Sequence, residues 1–212
     1  SILTNSSKAP ELLFENIFNK IKAWEIELDL PDIIKDIGIG VPNGNYFTGM
    51  VVNPPNLGKG WEELNLVSLI KSYKNIPVAI TNDANAAALG EKKYGAAISM
   101  EHAVVITLGT GLGSGLIINN NILYGYDGFA GELGHIIIDP EGRDCGCGRK
   151  GCLEMYVSAK GINYTIKKYI QDYPENSFLQ KLDPNNIDGK VLDSAFDNGE
   201  NIAIDIYKYT GQ

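Results

Sequence analysis

Four side chains with metal-binding chemistry stand within 18 residues of one another: His135, Cys145, Cys147 and Cys152, spaced His-x9-Cys-x-Cys-x4-Cys. One imidazole with three thiolates is the ligand set of a closed, tetrahedral, structural zinc site. Gly146, Gly148 and Gly151 allow the chain to fold tightly round an ion. A redox pair with a spare thiol, or three unconnected cysteines, compete with that reading. Glu132 and Glu154 lie just outside the first and last of the four. Each belongs either to a solvated face or, beside a further carboxylate, to a polar ring suited to the hydroxyl groups of a sugar.

Residues 107–115 read Thr-Leu-Gly-Thr-Gly-Leu-Gly-Ser-Gly, with glycine at 109, 111, 113 and 115. Such a run lets backbone N–H groups turn toward an anion while a nearby hydroxyl adds a donor. It matches neither the P-loop nor the dinucleotide fingerprint, and a tight hairpin that needs glycine for its conformation explains it equally. Asn82-Asp83 follows an apolar β-type run and precedes an alanine-rich stretch. Asp83 there either caps a helix or, at the carboxyl end of a strand where ligands collect, accepts the proton of a hydroxyl nucleophile. His102 has no partner in sequence and reads as an ordinary surface or core histidine.

The elements that must position these residues alternate between helix and strand. Residues 10–24 carry Leu13, Ile17, Ile21 and Trp24 at helical spacing, with Pro10 where a first turn tolerates it. Residues 36–41 predict a strand ended by the turn 42–45, and a loop covers 53–56. A helix is expected over 61–73, a strand over 78–81 and a helix over 84–94. The pattern restarts with a strand over 103–108, the glycine loop 109–115, a strand over 116–118, a turn at 119–120 and a strand at 122–123. Helices are expected over 154–173 and 201–209. This is an α/β pattern, and its restart places a boundary near 95–102, dividing 1–98 from 99–212.

Lys plus Arg is 18 and Asp plus Glu 26, a net charge of −8, so no basic excess exists to neutralise nucleic acid phosphates or an anionic membrane. Hydrophobic residues at 44% and charged residues at 21% fit a folded chain. Glycine is in excess, 24 of 212 residues against a usual share of about 7%, so backbone geometry carries part of the function. No apolar stretch approaches a membrane span, and residues 1–9 have neither the apolar run nor the basic start of a signal peptide. Three clustered cysteines and none elsewhere suit a reducing, cytoplasmic compartment.

Residues 80–91 (ITNDANAAALGE), 105–115 (VITLGTGLGSG), 131–135 (GELGH) and 145–154 (CGCGRKGCLE), supported by 38–42 and 53–57, resemble the ROK group of bacterial sugar kinases and sugar-responsive repressors. The resemblance implies the actin-like ATPase fold, an α/β architecture of two ribonuclease-H-like lobes, here with a zinc-binding loop. It implies ATP-dependent phosphorylation of a hexose at the 6-hydroxyl, glucose before other sugars, with Asp83 as general base. Asn82, Glu132, His135 and Glu154 would hold the other hydroxyls, His135 giving one ring nitrogen to zinc and the other to the sugar. Thr110, Gly111, Gly113 and Gly115 would face the phosphates of ATP, accompanied by Mg²⁺. The same resemblance leaves a repressor's sugar-sensing domain or an N-acetylhexosamine kinase as alternatives, and suggests a homodimer or homotetramer. Family kinases open on an Asp-x-Gly-Gly-Thr loop and close on a strand and a glycine-rich turn. Neither is present, so the expectation is a fold incomplete at both termini that binds sugar better than ATP.

Overall fold

Pro10 occupies the first turn of helix α1 (Pro10–Glu27), where its missing N–H breaks no bond, in a computed structural model that describes residues 2, 9–55, 57–173 and 177–211. Of the expectations above, most of 1–9, Asn56 and Gln212 lie outside the described residues. Pro10 and Phe14 are the buried residues of α1, with Leu13, Ile17 and Ile21 half-buried around Phe14. Trp24, expected on the same face, is 48% exposed beneath the Lys20 ammonium. The helix outruns the core it packs on.

Packing divides the chain into two units, one of Ser1–Val105 with Gly115–Gly131 and one of Ile106–Ser114 with Glu132–Gln212. This differs from a single change between 1–98 and 99–212. Strands β5 (Ala103–Leu108) and β6 (Leu112–Ile118) each run from one unit into the other, so no one loop separates the two.

In the first unit, β1 (Ile37–Gly40) and β4 (Val78–Thr81) pair in parallel, with Gly40 opposite Thr81 at their carboxyl ends. Of the helix expected over 61–73, α2 (Leu66–Tyr73) is present, while β3 (Glu63–Asn65) before it pairs antiparallel with β2 (Met50–Val52). The Asn65 side chain accepts from Ser68 N, which starts the helix late, and Trp61 is buried in the core rather than placed on a helix. That core comprises Phe14, Val41, Val51, Trp61, Leu66, Ile70 and Ile80. Helix α3 (Asp83–Tyr94) follows β4 directly. The short strand β7 (Asn121–Ile122) pairs with β6 through Asn119 and Asn120, both at positive φ as a tight hairpin turn requires. His102 Nδ1 accepts from Asn119 N at 3.2 Å, a local staple on that turn.

In the second unit, the single helix expected over 154–173 is broken into α4 (Glu154–Val157) and α5 (Ala159–Asp172). Ser158 between them is fully buried, and its hydroxyl accepts from Gly161 N as a new N-cap. Helix α6 (Gly189–Asp197), capped by Asp188, was not foreseen, whereas α7 (Asn201–Thr210) lies where expected. Ile166, Leu179, Leu192, Ile202 and Ile206 meet in this unit's core. Among the described residues, no helix is long and apolar enough to cross a membrane.

Candidate functional site

Asn82 and Asp83 sit where the β4 strand turns into α3, at the carboxyl end of a parallel pair. Asn82 Oδ1 and Asp83 Oδ1 both accept from Ala84 N at 2.9 Å. The capping reading is therefore real, yet Asn82 alone already satisfies that donor. Asp83 remains exposed, and its second carboxylate oxygen is free of the cap. The helix start is held close to the sheet: a Cβ on Gly40 would stand 2.8 Å from Ala86 Cβ and 3.3 Å from Asp83 Cα. In the same unit, a Cβ on Gly115 would meet Ala88 Cβ at 2.4 Å and Ala84 O at 3.1 Å. Packing of β6 on α3 thus accounts for glycine at 115 without any ligand.

The glycine run is not one loop. Thr107 and Leu108 end β5, Gly109 to Gly111 form the turn, and Gly113 and Gly115 lie within β6. Gly109 N donates to Gly111 O at 3.0 Å to close the turn, leaving Thr110 exposed at its tip. Residues 132–135 pack against the second-unit part of the glycine run: a Cβ on Gly134 would stand 2.5 Å from Leu112 O, and Leu133 N donates to Ser114 Oγ. Leu133–His135 form one turn of 3-10 helix, with His135 N donating to Glu132 O. Glu132 is exposed and Glu154 half-buried at the start of α4. The second unit therefore gathers Thr110, Gly111, Gly113, Glu132, His135 and Glu154 with the cysteines. Asn82, Asp83 and Gly115 belong to the first.

The donor atoms of His135, Cys145, Cys147 and Cys152 all lie within 4.8 Å of one another. Cys145 Sγ is 3.7 Å from His135 Nδ1, and Cys147 Sγ is 3.6 Å from Cys152 Sγ. A tetrahedral ion with zinc–sulfur bonds of about 2.3 Å and a zinc–nitrogen bond of about 2.0 Å sets donors roughly 3.5–3.8 Å apart, so the cluster fits one. No disulfide joins the three thiols. Partial burial acts upward on the Cys147 thiol, but hydrogen bonds from Arg149 and from the neighbouring thiols outweigh it and bring it down to about 6. Burial, joined by the other two thiols, pushes Cys152 up to about 12. A divalent cation among the thiols would favour the thiolate forms that bind it.

Arg143 escaped the sequence reading. From the loop before Cys145, its Nη1 donates to Met155 O at 2.7 Å and Gly161 O at 2.9 Å, and its Nη2 to Thr165 Oγ1 at 2.8 Å. The guanidinium also stacks over Tyr156 and Tyr164, 4.5 and 4.4 Å from the ring centroids. It ties the cysteine loop to α4 and α5. Its acceptors are mostly backbone carbonyls, which carry no sequence signature.

The ROK family's sequence model matches residues 4–212. The chain belongs to the ROK family. This ROK chain is 37% identical over 173 residues to a glucokinase of Halalkalibacterium halodurans, covering 80% of the chain and 52% of that relative. It is 38% identical over 157 residues to the xylose repressor of Bacillus subtilis, covering 74% and 40%. Among solved structures, a ROK family glucokinase from Streptomyces griseus in complex with glucose and AMPPNP superposes with a TM-score of 0.73 at 32% identity, over 99% of this chain and 66% of that one. The ROK chain thus spans about half the length of the curated relatives it matches and shares the α/β fold of the family's sugar kinases.

Proposed function

We propose that the protein is an ATP-dependent hexose 6-phosphotransferase of the glucokinase type, acting in the cytoplasm, where ATP and free thiols coexist. The observation that carries this reading is Asp83: a carboxylate at the carboxyl end of β4, exposed, with its capping duty shared by Asn82. Asp83 takes the proton of the sugar 6-hydroxyl as that oxygen attacks the γ-phosphorus, the bond to the β-phosphate breaks and ADP leaves. Positioning and charge stabilisation do most of the catalysis in such a transfer. Mg²⁺ supplies part of that stabilising charge when ATP is bound. Thr110, Gly111 and Gly113 face the phosphates, with Gly115 placed beside them by the family resemblance. Asn82, Glu132, His135 and Glu154 hold the remaining sugar hydroxyls.

His135, Cys145, Cys147 and Cys152 hold one structural zinc, which fixes loop geometry and takes no part in the transfer. With Nδ1 turned toward Cys145, His135 keeps Nε2 for a sugar hydroxyl.

Similarity to the xylose repressor favours a second reading, the sugar-sensing part of a transcriptional repressor. A coupled ADP-release assay separates the two. Wild-type protein turns over ATP in the presence of glucose, and Asp83→Asn lowers kcat by about 10²–10⁴-fold while sugar binding persists. Sugar binding without turnover in the wild type supports the repressor, and an Asp83→Asn variant with unchanged kcat removes Asp83 as the base.

A further inference from the structure

Glu154 grips the glycine turn from the side of the metal cluster. Its Oε2 accepts from Leu112 N at 2.9 Å, the first residue beyond the turn. Just beyond α4, Ala159 N at the start of α5 donates to Gly109 O, the first residue of the turn, at 2.9 Å. Glu154 at the start of α4 and Ala159 at the start of α5 therefore hold the two ends of residues 109–111. Gly111 makes room for this contact: a Cβ there would stand 2.4 Å from Glu154 Oε2. Helix α4 is in turn bound to the metal loop, because Met155 N donates to Cys152 O, Leu153 N to Ile136 O, and Arg143 Nη1 to Met155 O. Neither closing bond uses the Thr110 or Gly111 amide.

We propose that Glu154 is a positioning residue for the glycine turn, through which the metal cluster governs the binding of the nucleotide phosphates as well as that of the sugar. One carboxylate serves both ends: Oε2 fixes Leu112 N–H, and Oε1 is left for a sugar hydroxyl. The proposal rests on the kinase reading for the identity of its ligand, and on the geometry of the second unit alone for the link itself.

The test uses the zinc-loaded protein without sugar, which removes the sugar-binding duty of Glu154 from the measurement. Amide hydrogen exchange is read at residues 109–112, and calorimetry reads the affinity for a non-hydrolysable ATP analogue. Glu154→Ala is expected to speed Leu112 exchange and weaken analogue binding by about tenfold each, the effect of losing a hydrogen bond to a charged group. Glu154→Gln keeps an acceptor oxygen and is expected to restore both toward wild type. Chelating the metal from wild-type protein reproduces the alanine variant and needs no substitution to fold. Unchanged exchange and affinity in both Glu154→Ala and the chelated protein overturn the proposal. If wild-type protein binds no analogue but Leu112 exchange still depends on Glu154, the kinase reading falls and the link stands.

Discussion

The carbonyl oxygen of Asp139 lies 1.5 Å from the point where a Cβ on Gly151 would be, and Gly151 has a φ of +68°. Both facts restrict the position to glycine, one residue before the metal-cluster thiol of Cys152. Gly151 N also donates to Arg143 O, and Ile138 N to Gly151 O, so the backbone here has no slack. Gly151→Ala is expected to destabilise the fold by about 3 kcal/mol and to lower bound zinc well below one per chain. Thermal melting and metal analysis after dialysis check it.

Arg143 makes three hydrogen bonds and stacks on aromatic rings while joining the cysteine loop to α4 and α5. Arg143→Ala should destabilise by about 3 kcal/mol, and Arg143→Lys should recover only part of it, since one ammonium cannot reproduce the planar fork. Melting curves with and without chelator measure the effect; a chelator-induced shift that is the same in Arg143→Ala as in wild type would separate Arg143 from the metal loop.

Gly115→Ala tests what that glycine is for. A Cβ in contact with Ala88 and Ala84 O forces α3 off the sheet, with an expected loss of about 1–3 kcal/mol whether or not nucleotide is present. Because α3 begins at Asp83, kcat should fall along with the melting temperature.

Burial, with the hydrogen bond and the charge of Asp193, pushes the Tyr207 hydroxyl from its ordinary 10 up to about 12. Below pH 10 the phenol is protonated in both folded and unfolded chains. Between pH 10 and 12 the unfolded chain loses the proton first, so the contribution of Tyr207 to stability is lost over that window. Tyr207→Phe should therefore lose less stability than wild type between pH 10 and 12, as measured by denaturant midpoints across the alkaline range.

The parts of the site that were readable beforehand are those whose chemistry is local in sequence. The spacing of His135, Cys145, Cys147 and Cys152 is itself the signature of a ligand set, and Asn82-Asp83 stands where an apolar strand meets an alanine-rich helix. The parts that escaped depend on distant or backbone partners. Arg143 is held by the carbonyls of Met155 and Gly161, which any residue could supply. The strands Met50–Val52 and Glu63–Asn65 are three residues long, too short for alternation to register. The break at Ser158 is a cap inside an otherwise helical pattern, and Gly115 sits in a strand that packs closely on α3, a distant contact that its neighbours in sequence do not announce.

All four metal donors come from one short stretch of chain, His135 to Cys152, and their closest approaches follow contacts made almost entirely within residues 133–156. Bringing them together closes only a small loop, whose entropic cost grows slowly with length and involves no distant strand. A nascent chain can therefore capture its ion soon after Cys152 leaves the ribosome, before the helices from Ala159 onward exist to bury Ile166 or Ile202. A metal bound there would act in time as well as in space, as an early template on which the rest of its unit condenses.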